Sequence, residues 1–319
     1  LNKIKTTYIN GEQDNYNYYI YIENKDPNMP EIALLTDSVS DLIPEDIIGL
    51  PIKIVPLKID LNGELLKDGV EMSKDEFWQK IVNSRDEEDL KLKTSQPSPQ
   101  DFLNAYNKLF EKGYKKIISV HPSSKLSGTA QAARVGRSLT NREDDIELVD
   151  SMGGSLLQGI LVLEAAKKAV KKESFGEIIN WINSYKNKGK LLMIVPDLKY
   201  LEKGGRIGKA GSAIAGMIQL KPILTVSQGE VTIEKKAIGE RNAQKYIEKY
   251  VKDESRKQSL VVCTCWGGGP EELENISKMH SEIGESSKIT FAILNRQIGA
   301  VIGCHTGPVY GVFMFPKLS

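Results

Sequence analysis

Cysteine and histidine are scarce in this chain, with three of each among 319 residues. Cys263, Cys265 and Cys304 are too few for a disulfide framework and fit a reduced compartment. Cys263 and Cys265 stand two apart in the apolar run Ser259–Trp266. On a strand, i and i+2 share one face, so burial is expected. His121, His280 and His305 show no zinc-ligand spacing, so no metal site and no cofactor are expected. An excess of one charge is also missing, since 43 Lys and Arg balance 42 Asp and Glu to a net +1. That balance excludes a broad basic field for nucleic acid and a polybasic face for an anionic membrane. No apolar run approaches the roughly 18 residues of a membrane-spanning helix, so no integral membrane association is expected. Residues Leu1–Pro30, rich in Asn, Tyr, Lys and Glu, lack the apolar stretch of a signal peptide. A cytoplasmic location is expected.

What is present is ordinary for a globular protein, at 40% hydrophobic and 27% charged residues. At roughly 100–200 residues per domain, the length predicts two domains. From Glu31 onward, apolar runs alternate with helical patterns. Strands are expected at Ile32–Thr36, Ile52–Ile59, Lys116–Val120 and Ile146–Val149, and helices at Lys74–Asn83, Pro99–Lys112, Thr129–Leu139 and Ser155–Lys171. This alternation predicts a Rossmann-like parallel sheet covered on both faces. Beyond the polar link Lys186–Gly189 come strand Leu191–Val195, a hairpin of Pro222–Ser227 and Val231–Lys236, and further strands at Ser259–Thr264, Ile289–Leu294 and Val309–Phe315. Helices Arg241–Val251 and Glu271–Glu282 complete the expected second unit. The fold class is therefore α/β in two domains, the second with a mixed sheet. The expected division is an extension at 1–30, an N-terminal domain at 31–188 and a C-terminal domain at 189–319.

The most informative segment is His121-Pro122-Ser123-Ser124-Lys125-Leu126-Ser127-Gly128-Thr129. It lies between an expected strand and an expected helix, at the carboxyl edge of a parallel sheet where ligands bind. Free N–H groups at a helix start favour an anion there. Ser127 or Thr129 as a helix cap, with Gly128 easing the turn, is the alternative. Thr94-Ser95-Gln96-Pro97-Ser98-Pro99 offers a second wall. Ser98-Pro99 reads as a helix cap and first turn, leaving Thr94, Ser95 and Gln96 as polar donors in a loop. Thr36-Asp37-Ser38-Val39-Ser40-Asp41-Leu42 offers either oxygen ligands for Mg²⁺ or Asx turns and a cap. Val149-Asp150-Ser151-Met152-Gly153-Gly154 reads the same two ways. Gly204-Gly205-Arg206-Ile207-Gly208-Lys209 lacks the Gly-Lys-Ser/Thr ending of a phosphate loop, but Arg206 suits a bidentate grip on a carboxylate or phosphate. Gly303-Cys304-His305-Thr306-Gly307-Pro308 places His305 in an expected turn, closely approachable between two glycines.

Together with Leu220-Lys-Pro-Ile-Leu224, these ordered segments resemble the DegV family. Its members are bacterial fatty-acid-binding proteins that serve as the lipid-carrying subunit of fatty acid kinase. The resemblance spans about Ile32 to Val312. It implies a two-domain α/β protein that buries one long-chain fatty acid and lacks an ATP site of its own. Thr94 and Ser127 would bind the carboxylate, with Ser95, Gly128, Thr129, Arg206 and His305 as further head-group contacts. A partner kinase subunit would phosphorylate the carboxylate to an acyl phosphate for phospholipid metabolism, so the chain itself would hold no catalytic residue. The family pattern departs at Val309-Tyr310, where small residues are usual, and at Ala237-Ile238-Gly239-Glu240, which replaces an arginine-containing stretch. The first 30 residues have no counterpart in the family core. Two other functions fit subsets of these residues. One is a serine hydrolase with Ser127 as nucleophile and His305 as base, although Leu126-Ser127-Gly128 is not the Gly-x-Ser-x-Gly elbow. The other is a regulatory module that binds phosphate and no lipid.

Overall fold

A computed structural model describes residues 29–84, 91–211, 220–284 and 288–317, so the expected extension lies almost wholly outside the described residues. The elements follow in order: β1 (Ile32–Asp37), β2 (Ile52–Val55), β3 (Lys58–Leu61), β4 (Glu64–Lys67), α1 (Lys74–Asn83), β5 (Leu92–Ser95), α2 (Pro99–Glu111), β6 (Lys116–His121), α3 (Thr129–Ser138), β7 (Ile146–Asp150), α4 (Leu156–Val170) and α5 (Phe175–Tyr185). After residues 186–189 come β8 (Lys190–Ile194), α6 (Lys199–Lys203), β9 (Leu220–Ser227), β10 (Glu230–Ile238), α7 (Glu240–Lys257), β11 (Leu260–Gly267), α8 (Pro270–Ile283), β12 (Ile289–Gln297), α9 (Ala300–Thr306) and β13 (Val309–Pro316).

The first sheet has the order β2-β1-β6-β7 and is parallel throughout. The chain leaves β1 toward β2 and returns on its other side at β6, so the topological switch point falls between β1 and β6, where open α/β sheets bind ligands. Asp37 and His121 end those two strands. The second sheet, β10-β9-β8-β13-β11-β12, is mixed, with β11 and β12 its parallel pair. The α/β class with a parallel first sheet and a mixed second one is therefore what the chain adopts.

The inner strands β1, β6, β8, β11 and β13 are buried on both faces, which explains why they read as near-continuous apolar runs. In β8, Leu191 and Met193 point into the core shared with the first sheet, and Leu192 and Ile194 point into the layer of α7 and α8. Phe313 and Phe315 of β13 follow the first pattern, and Val312 and Met314 the second. Cys263 and Cys265 share the inner face and are buried free thiols. One apolar cluster runs from Leu34 and Leu57 to Phe313, so the two sheets share a core instead of packing separately. Among the described residues, no helix is long and apolar enough to cross a membrane.

Some expectations fail for local reasons. Ile52–Ile59 is not one strand, because Pro56 lacks an amide hydrogen and the chain passes there from the parallel sheet into an antiparallel sheet of order β4-β3-β5. That small sheet claims Thr94 and Ser95 as the end of β5, so they are not loop residues. His305 is not in a turn. It lies in the last turn of the short helix α9, where Val301, Ile302 and His305, with Ile298 just before the helix, follow the i, i+3, i+4, i+7 spacing of a helix face.

Trp78 of α1 donates from its indole nitrogen to the Ile298 carbonyl at 2.7 Å, in buried surroundings just before α9. Trp78→Phe keeps most of the apolar area and leaves that carbonyl without its donor. Urea unfolding is expected to show a loss of about 1–3 kcal/mol; an unchanged midpoint would remove the bond from the account of stability.

Candidate functional site

Between the two sheets lies a cavity of about 340 Å³, within the roughly 300–1,000 Å³ of small-molecule sites. Its apolar wall draws on β8 and β13 through Leu191, Met193 and Phe313, on the hairpin through Val226 and Val231, and on α9 through Val301 and Ile302. Leu57, Val39, Leu126, Leu201 and Cys265 complete it. Burial raises the Cys265 thiol well above its usual range, so this wall carries no reactive thiolate.

One part of the wall is polar. Thr94, Ser95 and Gln96 reach it from the end of β5, Ser127 from the loop after β6, Arg206 from the glycine-rich turn after α6, and His305 from α9. His305 Nε2 and Thr94 Oγ1 share a hydrogen bond of 2.8 Å. Ser127 Oγ bonds Thr129 Oγ1 at 2.8 Å and accepts the Thr129 amide at 3.3 Å. Thr129 is buried and, like Gly128, is not among the lining residues. Thr129 therefore holds Ser127 in place through these two bonds. Gly128 is the N-cap of α3, with no side-chain cap of its own. Arg206 donates from Nε to Leu126 O (3.1 Å) and from Nη1 to Gly204 O (2.6 Å), which aims its guanidinium across the Ser127 loop. A β-carbon on Gly204 would fall 2.4 Å from His305 Nδ1, so glycine is needed there for the ring to seat. The sequence motifs on separate strands and turns thus converge on one polar end.

The electrostatics favour an anion. Burial first, and the Arg206 cation second, lower the His305 pKa to about 4. His305 Nδ1 is buried with no hydrogen-bond partner. The Arg206 guanidinium can neutralise a carboxylate there, with the hydroxyls and the uncharged imidazole as hydrogen-bonding partners. A serine hydrolase would need Ser127 on the imidazole and an acid behind it. Here Thr94 holds the imidazole, and no acid holds Nδ1.

The first acidic motif serves the fold. Asp37 Oδ1 caps the following turn through the Val39 amide (3.0 Å), and its Oδ2 accepts His121 Nδ1–H at 2.7 Å. Asp41 accepts the Gly299 amide and the Ser155 hydroxyl. Asp150 accepts the Ser124 and Met152 amides, so its loop also cradles the Ser127 segment. Among the described residues, no group of His, Cys, Asp and Glu could hold a metal ion. Reading motifs in isolation missed the apolar lining, because its residues come singly from distant strands.

A shared core enclosing an apolar cavity with one polar, anion-seeking end defines a ligand-enclosing two-domain α/β protein. The chain belongs to the DegV family: the family model, described as "Uncharacterised protein, DegV family", matches residues 31–317. A DegV domain-containing protein of Caldanaerobacter subterraneus subsp. tengcongensis is 33% identical over 295 residues, covering 91% of this chain and 100% of the relative. A solved DegV family protein from Thermus thermophilus, a fatty acid binder, is similar with a TM-score of 0.81 at 30% identity, covering 91% of this chain and 100% of that one. A stearic acid-binding protein from Eubacterium ventriosum is similar with a TM-score of 0.78 at 25% identity, covering 91% and 99%.

The histidine sets a pH signature. In the unfolded chain a histidine titrates near 6.5, whereas His305 in the folded protein titrates near 4. Between those values the unfolded state binds a proton that the folded state does not, so stability falls as pH is lowered through that window. Denaturation curves at stepped pH are expected to show a shallower slope for His305→Asn between about pH 4 and 6.5. Parallel slopes in both proteins would contradict the burial of this ring.

Proposed function

We infer that this protein binds one long-chain fatty acid in the cavity, with the carboxylate at the Thr94, Ser127, Arg206 and His305 end. It acts as a cytoplasmic carrier that offers this head group to a partner kinase subunit for phosphorylation to an acyl phosphate. The observation that carries the reading is an apolar cavity with its hydroxyls, the Arg206 guanidinium and the unpartnered His305 Nδ1 gathered at one end. The binding of fatty acid by similar DegV proteins supports it.

Magnitudes divide the labour between the two ends. Burying an acyl chain yields about 0.8 kcal/mol per CH₂, so roughly 14 methylenes supply on the order of 11 kcal/mol before the costs of association. A hydrogen bond to a charged group nets about 1.5–3 kcal/mol. The tail dominates affinity, and the polar end fixes which way round the ligand lies. In this reading the chain itself performs no bond-making step. Its residues hold the carboxylate at the polar end while the kinase brings the nucleotide.

Native mass spectrometry of the purified protein tests the binding directly. A co-purifying mass of a C14–C18 fatty acid is expected, and a protein that is empty and refuses added fatty acid would sink the reading. Ser127→Ala is expected to weaken fatty acid binding by no more than about 100-fold, one charged hydrogen bond, while slowing acyl phosphate formation by the kinase more severely. Binding abolished with the fold intact would show instead that the head group dominates. In delipidated protein, NMR titration is expected to place the His305 ring near pH 4, and added fatty acid to raise it, because a carboxylate neighbour favours imidazolium. An unmoved titration would separate the ligand from His305.

A further inference from the structure

His305 reaches the cavity on α9, and what holds α9 lies at the other end of that helix. The Gly299 amide donates to Asp41 Oδ1 at 2.6 Å. Around this carboxylate, Ser155 Oγ donates to Asp41 Oδ2 (2.5 Å). Lys74 Nζ lies 3.3 Å from Asp41 Oδ1 and donates to Gln297 O at 2.9 Å. A β-carbon on Gly299 would stand 2.8 Å from Asp41 Oδ1, 3.7 Å from Asp68 Oδ2 and 3.7 Å from Lys74 Cε. Three charged side chains therefore converge on one peptide, and Asp41 and Asp68 are only 1% and 5% exposed. Burial, with Asp41 adding to it, pushes the Asp68 carboxyl up to about 7, so near neutral pH the cluster carries less than its full negative charge.

None of these groups except Ser155 lines the cavity. From Ala300, a rise of 1.5 Å per residue carries the helix about 8 Å to His305. In a helix of seven residues, the position of the first turn sets the position of the last. The geometry points to Asp41 as a positioning residue for the polar end: by gripping the start of α9 it fixes where His305 meets Thr94, and so sets the preference of the cavity for a carboxylate over a neutral head group. This rests on the reading of the cavity as a fatty acid site.

The test uses two ligands with one tail, palmitic acid and hexadecanol, on delipidated wild-type protein and on Asp41→Ala and Asp41→Asn, with the His305 ring followed by NMR. The wild type is expected to prefer the acid by tenfold or more. Asp41→Ala is expected to lose that preference by at least tenfold, to bind the alcohol within threefold of wild type, and to shift the His305 resonances. Asp41→Asn, whose amide oxygen can still accept the Gly299 amide, is expected to restore both. Asp41→Ser takes the place of Asp41→Ala if the latter fails to fold. Equal weakening of acid and alcohol, or an acid preference and His305 signals that match the wild type, would overturn the positioning role. If the wild type binds neither ligand, the fatty acid reading fails by itself, and the His305 resonances still decide whether Asp41 positions the ring.

Discussion

The carboxylate of Asp41 is the constraint on which the architecture of the site depends. It sits at the end of the turn after β1, in the left-handed region at φ 57°, a conformation that aspartate tolerates better than most residues. From there it receives the start of α9, the hydroxyl that precedes α4 and the ammonium of α1. A charge taken out of water at this depth is costly unless each lone pair finds a donor. The donors come from segments up to 258 positions away in the chain, so the cluster is complete only when the two sheets have come together. Satisfying one carboxylate thus ties the first domain to the helix that carries His305.

A second buried pair works at the switch point. Asp37 and His121 end β1 and β6, and their bond closes the crevice that an open α/β sheet leaves there. Ser119 and Tyr106 extend the chain of hydrogen bonds beyond His121, and Gln158 of α4 binds Asp37 and Thr36 from the other side. With that crevice filled by protein, the space that remains is displaced toward the second sheet, where Leu191, Met193 and Phe313 make it apolar. The site is therefore a product of two opposed demands. Buried carboxylates must be paired, and the apolar faces of two sheets must meet, and the cavity lies where the second is incomplete.

Much of this was legible in the chain itself. Strand and helix alternation gave the α/β class, since a doubly covered sheet needs long apolar runs spaced by amphipathic helices. Thr94, Ser127, Arg206 and His305 stood out because each sat among glycines, prolines or hydroxyls at the end of an expected element. Their local settings are less legible in the sequence. Pro56 split an apparent strand, and β5 absorbed Thr94 and Ser95 because β3 offered them an antiparallel partner, a pairing that no local pattern announces. The Asp37 and Asp41 motif was readable as a metal site or as turns, and only the identity of the donors around each oxygen resolves the choice.

The sequence by itself determined the periodicities, and through them the two sheets and the polar residues that would lie at their edges. It also determined the absence of an excess of charge of one sign, which left burial to be driven by apolar faces. Tertiary structure alone decided that Gly204 would stand against the His305 ring and that Asp41 would meet Gly299. It likewise decided which apolar side chains would face an empty volume instead of each other. Hydrophobic patterning is local and survives in any window of the chain, whereas the closing of a cavity depends on contacts between segments far apart, which no window contains.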